Sequence, residues 1–383
     1  MLEAWFWTML FVGLYPYVFY PVAVALLGRV TRRAVRRDDA FAPRVTVITA
    51  AFNEEAHIGA TIDNKLRQDY PPERLDMIVV SDASADRTDE IVREFAAREP
   101  RVQLLRNETR AGKTSGLNLA IPRARGEIVV FADANSIYRP DAIAKLVRNF
   151  ADPQVGYVTG SMRYVSADGS LVGDGCSAYM RYENALRLAE TRLGSIVGVD
   201  GGVDAIRRSL YQPMRPDQLP DFVAPLSVAE QGFRVIYEPD AVLTEDTLAV
   251  QSQEYRMRVR VALRAFWALW DKRALLNPFR FGLYAWQLWS HKLLRYLSFV
   301  PLAAAMALNW VLLPQGGVYV LGAVAQVLFG VLCVAAVAGM RGVGQLSATR
   351  YCFYFFLLNW ASAVAFVRFV RGQKQVLWQP RVG

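Results

Sequence analysis

Long apolar runs stand at the two ends of this 383-residue chain and bracket a middle that reads like a water-soluble domain. Residues 5–27 are almost wholly apolar, and about 293–313, 318–340 and 351–370 are each long enough to cross a bilayer. Hydrophobic residues make up 53% of the chain, more than is usual for a soluble protein of this size. The first run has no basic residue ahead of it and no small-residue cleavage site, so it reads as an uncleaved span, not a signal peptide. Pro16 and Pro21 predict a kink within it.

The formal net charge is +9, and the surplus lies beside the apolar runs. Arg29, Arg32, Arg33, Arg36 and Arg37 follow the first run; Lys272, Arg273, Arg280, Lys292 and Arg295 stand at the start of the second. This juxtamembrane pattern puts the Arg29 end and the middle domain on the cytosolic side. Four spans begun from outside would end outside, whereas Arg368, Arg371, Lys374 and Arg381 favour a cytosolic tail. No basic-aromatic motif accompanies the charge, so no nucleic-acid partner is expected. Cys176, Cys333 and Cys352 are odd in number and form no C-x-x-C pair, which argues against a disulfide framework or a thiolate metal site. The two histidines, His57 and His291, supply neither a metal cluster nor a hydrolase triad and read as packing or interface residues.

The middle alternates strand and helix signals. Strands are expected at 45–51, 77–80, 102–105 and 128–132, and helices at 54–66, 86–97 and 113–121. This rhythm predicts an α/β domain with a Rossmann-like, mostly parallel sheet and helices on both faces. In such sheets ligands bind outside the carboxyl ends of the strands. The chemistry-bearing motifs follow strands at that edge. Ala-Phe-Asn-Glu (51–54) ends the first strand; Asn53 and Glu54 read either as a helix cap or as partners of a ribose or base. Ser-Asp-Ala-Ser-Ala-Asp (81–86) follows the second, with Asp82 placed to accept from a nucleoside and Asp86 to cap a helix. Gly-Lys-Thr-Ser-Gly-Leu-Asn (112–118) opens a helix, where Lys113 meets a phosphate or is simply solvated. Asp133 and Asn135, two apart after an apolar strand, aim oxygens at one hard cation, Mg²⁺ or Mn²⁺, or form an Asx turn.

Together these four motifs resemble the membrane-bound family 2 glycosyltransferases of the GT-A fold, relatives of the hyaluronan, chitin and cellulose synthases. The resemblance covers about 45–261. It implies that Asn53, Glu54 and Asp82 contact the uridine of a UDP-sugar at the turn that starts from Ala51. It implies too that Lys113 lies near the donor, and that Asp133 holds the metal bridging the diphosphate. Asn135 stands where the family carries a second aspartate, and Ser81 replaces one of two paired aspartates. The segment 199–208 resembles the loop and strand that shape the acceptor pocket, and the helix expected at 177–193, with Tyr179, Tyr182 and Glu183, would line it.

Asp221, in Leu-Pro-Asp-Phe-Val-Ala-Pro-Leu (219–226), occupies the place of the family's base before an apolar helix. Thr-Glu-Asp (244–246) spells the base motif but follows a strand that normally comes after that helix, so Asp221 is assigned over Asp246. Arg260 survives from the Gln-x-x-Arg-Trp motif of processive synthases and would pair with the leaving diphosphate; Met257 and Val261 replace its other members. Trp267 and Trp270 remain as stacking residues or as packing.

The expected organisation is a transmembrane helix (1–30), a cytosolic GT-A domain (43–271), an interfacial helix (275–291), a region of about three transmembrane helices (292–371) and a tail (372–383). The expected activity is an inverting, metal-dependent sugar transfer to a lipid-linked or polysaccharide acceptor at a bacterial-type plasma membrane. Transfer to polyprenyl phosphate and a non-catalytic nucleotide-sugar-binding subunit are the alternatives.

Overall fold

The computed structural model describes residues 1–164, 171–245, 251–338, 340 and 346–375. Its centre is one eight-stranded sheet. The strands are β1 (Val45–Ala51), β2 (Leu75–Ser81), β3 (Val102–Arg106), β4 (Ile128–Asp133), β5 (Ile137–Tyr138), β6 (Val155–Tyr164), β7 (Val203–Arg207) and β8 (Arg234–Glu245). Their order is β3-β2-β1-β4-β7-β6-β8-β5. The β3-β2-β1-β4 half is parallel throughout, as the sequence predicts. The other half is mixed: β7 runs antiparallel to β4 and β6, while β6 and β8 are parallel.

The parallel half is apolar on both faces because helices cover both. Val47, Val79 and Val130 pack on one side with Ile58 and Ile62 of helix Ile58–Leu66. Ile48, Ile78 and Val129 pack on the other with Leu117 and Ala120 of helix Lys113–Ala120. Strands sandwiched in this way read as continuous hydrophobic runs. The helix expected from residue 54 begins only at Ile58. The Glu54 and Glu55 amides are instead bound by Thr88 Oγ1 (2.8 Å) and Asp86 Oδ2 (3.0 Å), which holds the intervening residues in a turn. Helix Thr88–Arg98 likewise starts two residues late, with Asp86 accepting from the Thr88 amide at 3.0 Å.

Two helices, Val318–Val337 and Ser347–Val370, are long and apolar enough to cross a membrane. The single span expected near the N-terminus is instead two helices, Leu2–Leu14 and Phe19–Thr31, bent by 56°. Pro16 lies in the break, where its missing N–H removes a helix hydrogen bond. The stretch expected at 293–313 is also broken, into Pro278–Leu297 and Phe299–Gln315 at 55°. Each bent pair is a broken span or a re-entrant loop.

Contacts with the sheet domain hold the second helix of the first pair. Helix Phe19–Thr31 lies against helix Leu171–Leu193 of the sheet domain. Gly28 packs so closely there that a Cβ would stand 2.8 Å from the Ala189 carbonyl oxygen, and the Tyr20 hydroxyl donates to Glu190. The segment expected in the interface forms helix Pro278–Leu288, with the Asn277 side chain accepting from the Phe279 amide at 2.9 Å. Phe279 is fully exposed, while Ala285 and Leu288 are buried.

Candidate active site

The carboxyl ends of β1, β2 and β4 are level. Ala51 pairs with Ser81, and Ala50 with Asp133. From β1 the chain goes to β2 and β3 on one side, then crosses to β4 on the other, so the β1–β4 edge is a topological switch point. Asn53 follows β1 with a φ of 54°, the left-handed region that asparagine tolerates better than most residues. Its Oδ1 accepts from the Ala85 amide at 2.9 Å and its own amide donates to Ser84 Oγ at 3.1 Å, so the turns after β1 and β2 are tied together. Arg110 lies over the neighbouring Phe52 ring at 3.7 Å.

Asp82 is buried. Its carboxylate accepts from Asn107 Nδ2 (2.9 Å) and from the Ala111 (2.8 Å) and Gly112 (2.9 Å) amides. It thereby fixes the loop that opens helix Lys113–Ala120. Gly112 has a φ of +90°, which a side chain would strain.

Lys113 joins the two carboxylates that the sequence reading singled out. Its Nζ donates to Asp133 Oδ1 at 2.8 Å and stands 3.3 Å from Asp221 Oδ1. Burial works against the ammonium, but Asp133 and Asp221 outweigh it and hold Lys113 charged, well above the usual lysine range. Asp221 lies in the first turn of helix Pro220–Glu230, whose cap residue is Leu219, and the Asp221 carboxylate faces Lys113. Gly201 and Gly202 close the arrangement with φ of +77° and +74°. A Cβ on Gly201 would stand 3.0 Å from Asp221 Cγ, and one on Gly202 3.0 Å from Asp133 Oδ2. Only glycine brings backbone this close to both acids in this conformation.

Asp133 and Asn135 sit at the β4 end as the motif requires. Among the described residues no group of three or more His, Cys, Asp or Glu gathers to hold a metal alone. One carboxylate and one amide, with Asp221 across Lys113, suit a hard cation that takes its remaining ligands from phosphate and water.

Three buried groups at this site were not singled out from sequence. Lys65 donates from Nζ to the Ser136 carbonyl (2.6 Å) and to Asn64 Oδ1 (3.0 Å), with Tyr138 beneath it. Burial pushes it down to about 7, with Asp133 opposing. Its signal was present: Ile58, Ile62 and Lys65 share one helical face, so a lysine falls on the apolar stripe. Asp204 on β7 is fully buried; burial, then the Asp221 charge, raise it to about 8. An acid inside the apolar run of β7 was the corresponding signal. Arg264 is pushed down to about 10, chiefly by burial and further by Arg260, with Asp221 opposing. Arg260 and Arg264 are one turn apart on helix Gln251–Asp271, and Arg264 donates to the Gln218 carbonyl. Asp246 lies outside the described residues. Trp267 donates to the Gln373 carbonyl at 2.8 Å and meets Phe369 edge-on, and Trp270 is exposed beside Phe369.

Glu183, expected at the acceptor pocket, is instead buried against Arg295 and against His291 Nε2 (3.1 Å). His291 Nδ1 lies 2.8 Å from Glu190. Arg187 and Asp200 form a second buried pair at 2.5 Å.

A switch point in a parallel sheet, with an acid at the β4 end and glycines against it, is the arrangement of the GT-A fold. Residues 46–212 match the glycosyl transferase family 2 domain. The chain thus carries a family 2 glycosyltransferase domain. It is 29% identical over 239 residues to an N-acetylglucosaminyltransferase of Rhizobium meliloti (strain 1021), covering 58% of this chain and 56% of that protein. It is 26% identical over 276 residues to a poly-beta-1,6-N-acetyl-D-glucosamine synthase of Staphylococcus aureus (strain COL), covering 66% and 64%. It thus spans less than two thirds of the length of these relatives. In three dimensions it is similar to the mannosyltransferase PcManGT of Pyrobaculum calidifontis, solved with GDP-Man and Mn²⁺. That likeness has a TM-score of 0.72 and 25% identity, over 97% of this chain and 100% of the other.

Proposed function

We propose that this glycosyltransferase moves a sugar from a UDP-sugar to a membrane-associated acceptor, with inversion and with a divalent metal, in the synthesis of a cell-surface glycan. The observation that carries the reading is Lys113 holding Asp133 and Asp221 at one point of the sheet edge. Asp133 and Asn135 would hold Mg²⁺ or Mn²⁺, which supplies positive charge for the diphosphate. PcManGT, solved with Mn²⁺, supports the metal. The turn at Ala51, Asn53 and Glu54 and the Asp82 loop would receive the nucleoside, and Lys113, between Asp133 and Asp221, would lie near the donor.

Asp221 is the general base. It takes the proton of an acceptor hydroxyl as that oxygen bonds to the anomeric carbon, while the bond from that carbon to the diphosphate oxygen breaks and its electron pair leaves with UDP. Attack opposite the leaving group inverts the centre. Arg260, with Arg264 a turn away, stabilises the charge on the departing diphosphate. The apolar helices and bent pairs attach the sheet domain to the cytosolic face of a plasma membrane, where a soluble donor meets a bilayer-borne acceptor.

The test uses the full chain purified in detergent with UDP-glucose, UDP-N-acetylglucosamine and GDP-mannose, each with Mg²⁺, Mn²⁺ or EDTA. Metal-dependent release of UDP is expected. Release of GDP alone overturns the uridine assignment, and release of neither with any acceptor extract overturns the enzyme reading.

A further inference from the structure

The loop from Gly198 to Gly202 touches two charged groups of different origin. Gly201 and Gly202 press on Asp221 and Asp133, whereas Gly198 lies under the Lys292 ammonium so closely that a Cβ there would collide with Nζ. Lys292 belongs to the bent pair Pro278–Leu297 and Phe299–Gln315, not to the sheet domain. Its Nζ stands 5.8 Å from the ring centre of Phe222, the residue after Asp221. An apolar-segment lysine therefore reaches the loop and helix start that carry the candidate base.

The acids around it are already engaged. Glu183 pairs with Arg295 and His291, Glu190 with His291 and Tyr20, and Asp200 with Arg187. Among the described residues Lys292 has no ion pair and no hydrogen bond, although it is only partly exposed. A half-buried ammonium without a carboxylate is costly unless an anion completes it. A lysine head is a three-donor point charge, suited to a phosphate oxygen.

We propose that Lys292 binds a phosphate group carried by the lipid acceptor, so that the hydroxyl to be glycosylated arrives at Asp221 with its phosphate on Lys292. The inference rests on the transferase reading and names the acceptor class: an anionic lipid whose phosphate adjoins the reacting hydroxyl. The phosphate belongs either to a polyprenyl-linked sugar, whose sugar hydroxyl reacts, or to a glycerophospholipid whose headgroup carries the hydroxyl.

The test is lipid binding by the full chain in neutral detergent, measured as a dose-dependent rise in melting temperature. Farnesyl phosphate and phosphatidylglycerol are the anionic probes, and farnesol and phosphatidylcholine their neutral controls. Saturable stabilisation by an anionic probe alone is expected, and which of the two acts tells the sources apart. Lys292→Met should weaken that binding at least tenfold, Lys292→Arg should keep most of it, and Gly198→Ala, which keeps the charge but displaces it, should behave like Lys292→Met. Absence of saturable binding in the native protein overturns the proposal. So does equal binding by native protein and Gly198→Ala, which covers the case of a Lys292→Met chain that does not fold. A Lys292→Met variant whose UDP affinity falls as much as its lipid affinity also overturns it, by assigning the lysine to the donor. Metal-dependent UDP release by the native protein reports separately whether the transferase reading stands.

Discussion

The two halves of the sheet are built differently. In the β3-β2-β1-β4 half β1, β2 and β3 are each followed by a helix that packs back on the sheet, and the bonds that shape the edge proposed for the nucleoside join neighbouring loops: Asn53 to Ala85, Glu54 to Thr88, Asp82 to Gly112. In the β7-β6-β8 half the chemistry is assembled from far apart. Asp221 meets Lys113, Glu183 meets His291 and Arg295, and Glu190 meets Tyr20 of the N-terminal helices. The side proposed for the donor is thus a repeated local design, while the side proposed for the acceptor is a junction between the sheet domain and the apolar helices. Metal and nucleotide binding should then survive changes on the acceptor side that stop transfer.

The sharpest test of that division is Asp133→Ala, expected to lower transfer by at least about a hundredfold through loss of charge stabilisation, and to abolish metal-dependent UDP binding measured by calorimetry. Asp221→Asn should lower transfer by about 10²–10⁴, as for loss of a general base, yet leave UDP binding intact. If Asp221→Asn stays active while Asp246→Asn is dead, the base lies on the other acid and the division moves with it.

Asp204 probes the seam between the halves through pH. Its folded-state value is raised to about 8 from 3.8, so between those values the native protein keeps a proton that the unfolded chain has lost. Stability should therefore fall as pH rises through this window, by roughly 1.4 kcal/mol per pH unit for one group. Melting curves from pH 5 to 8 should show that slope in the native protein and a flatter one in Asp204→Asn.

Gly202→Ala should cost about 1–3 kcal/mol from its positive φ and the contact with Asp133, read as a lower melting temperature. The smallest effect belongs to the outer surface. Lys374→Ala removes an exposed pair with Asp217 and should change stability by less than about 1 kcal/mol, with little salt-dependent difference left to measure.

Much of the donor half was legible because its signals are local. The runs at β1, β2 and β4 are apolar on both faces, and each ends in a polar motif whose position is fixed by the strand before it. The acceptor half was legible only in part. Asp221 could be placed from its order along the chain, but its neighbour Lys113 is over a hundred positions away. His291 gave no signal at all, since a lone histidine beside an apolar run has no partner until Glu183 and Glu190 are folded against it. Lys65, Asp204 and Arg264 showed themselves as charges out of phase with an apolar face, a pattern that marks burial without telling what lies opposite.

The sequence by itself determined the apolar ends, the α/β middle and the motifs at the strand ends, because periodicity and turn chemistry act over a few residues. The kink of the first apolar run was also legible, from Pro16, whereas only the tertiary structure decided the bend of the second helix pair, the mixed half of the sheet and the meeting of Lys292 with the loop beside Asp221. Those depend on which surfaces bury one another, and burial between distant segments leaves no mark in either segment alone.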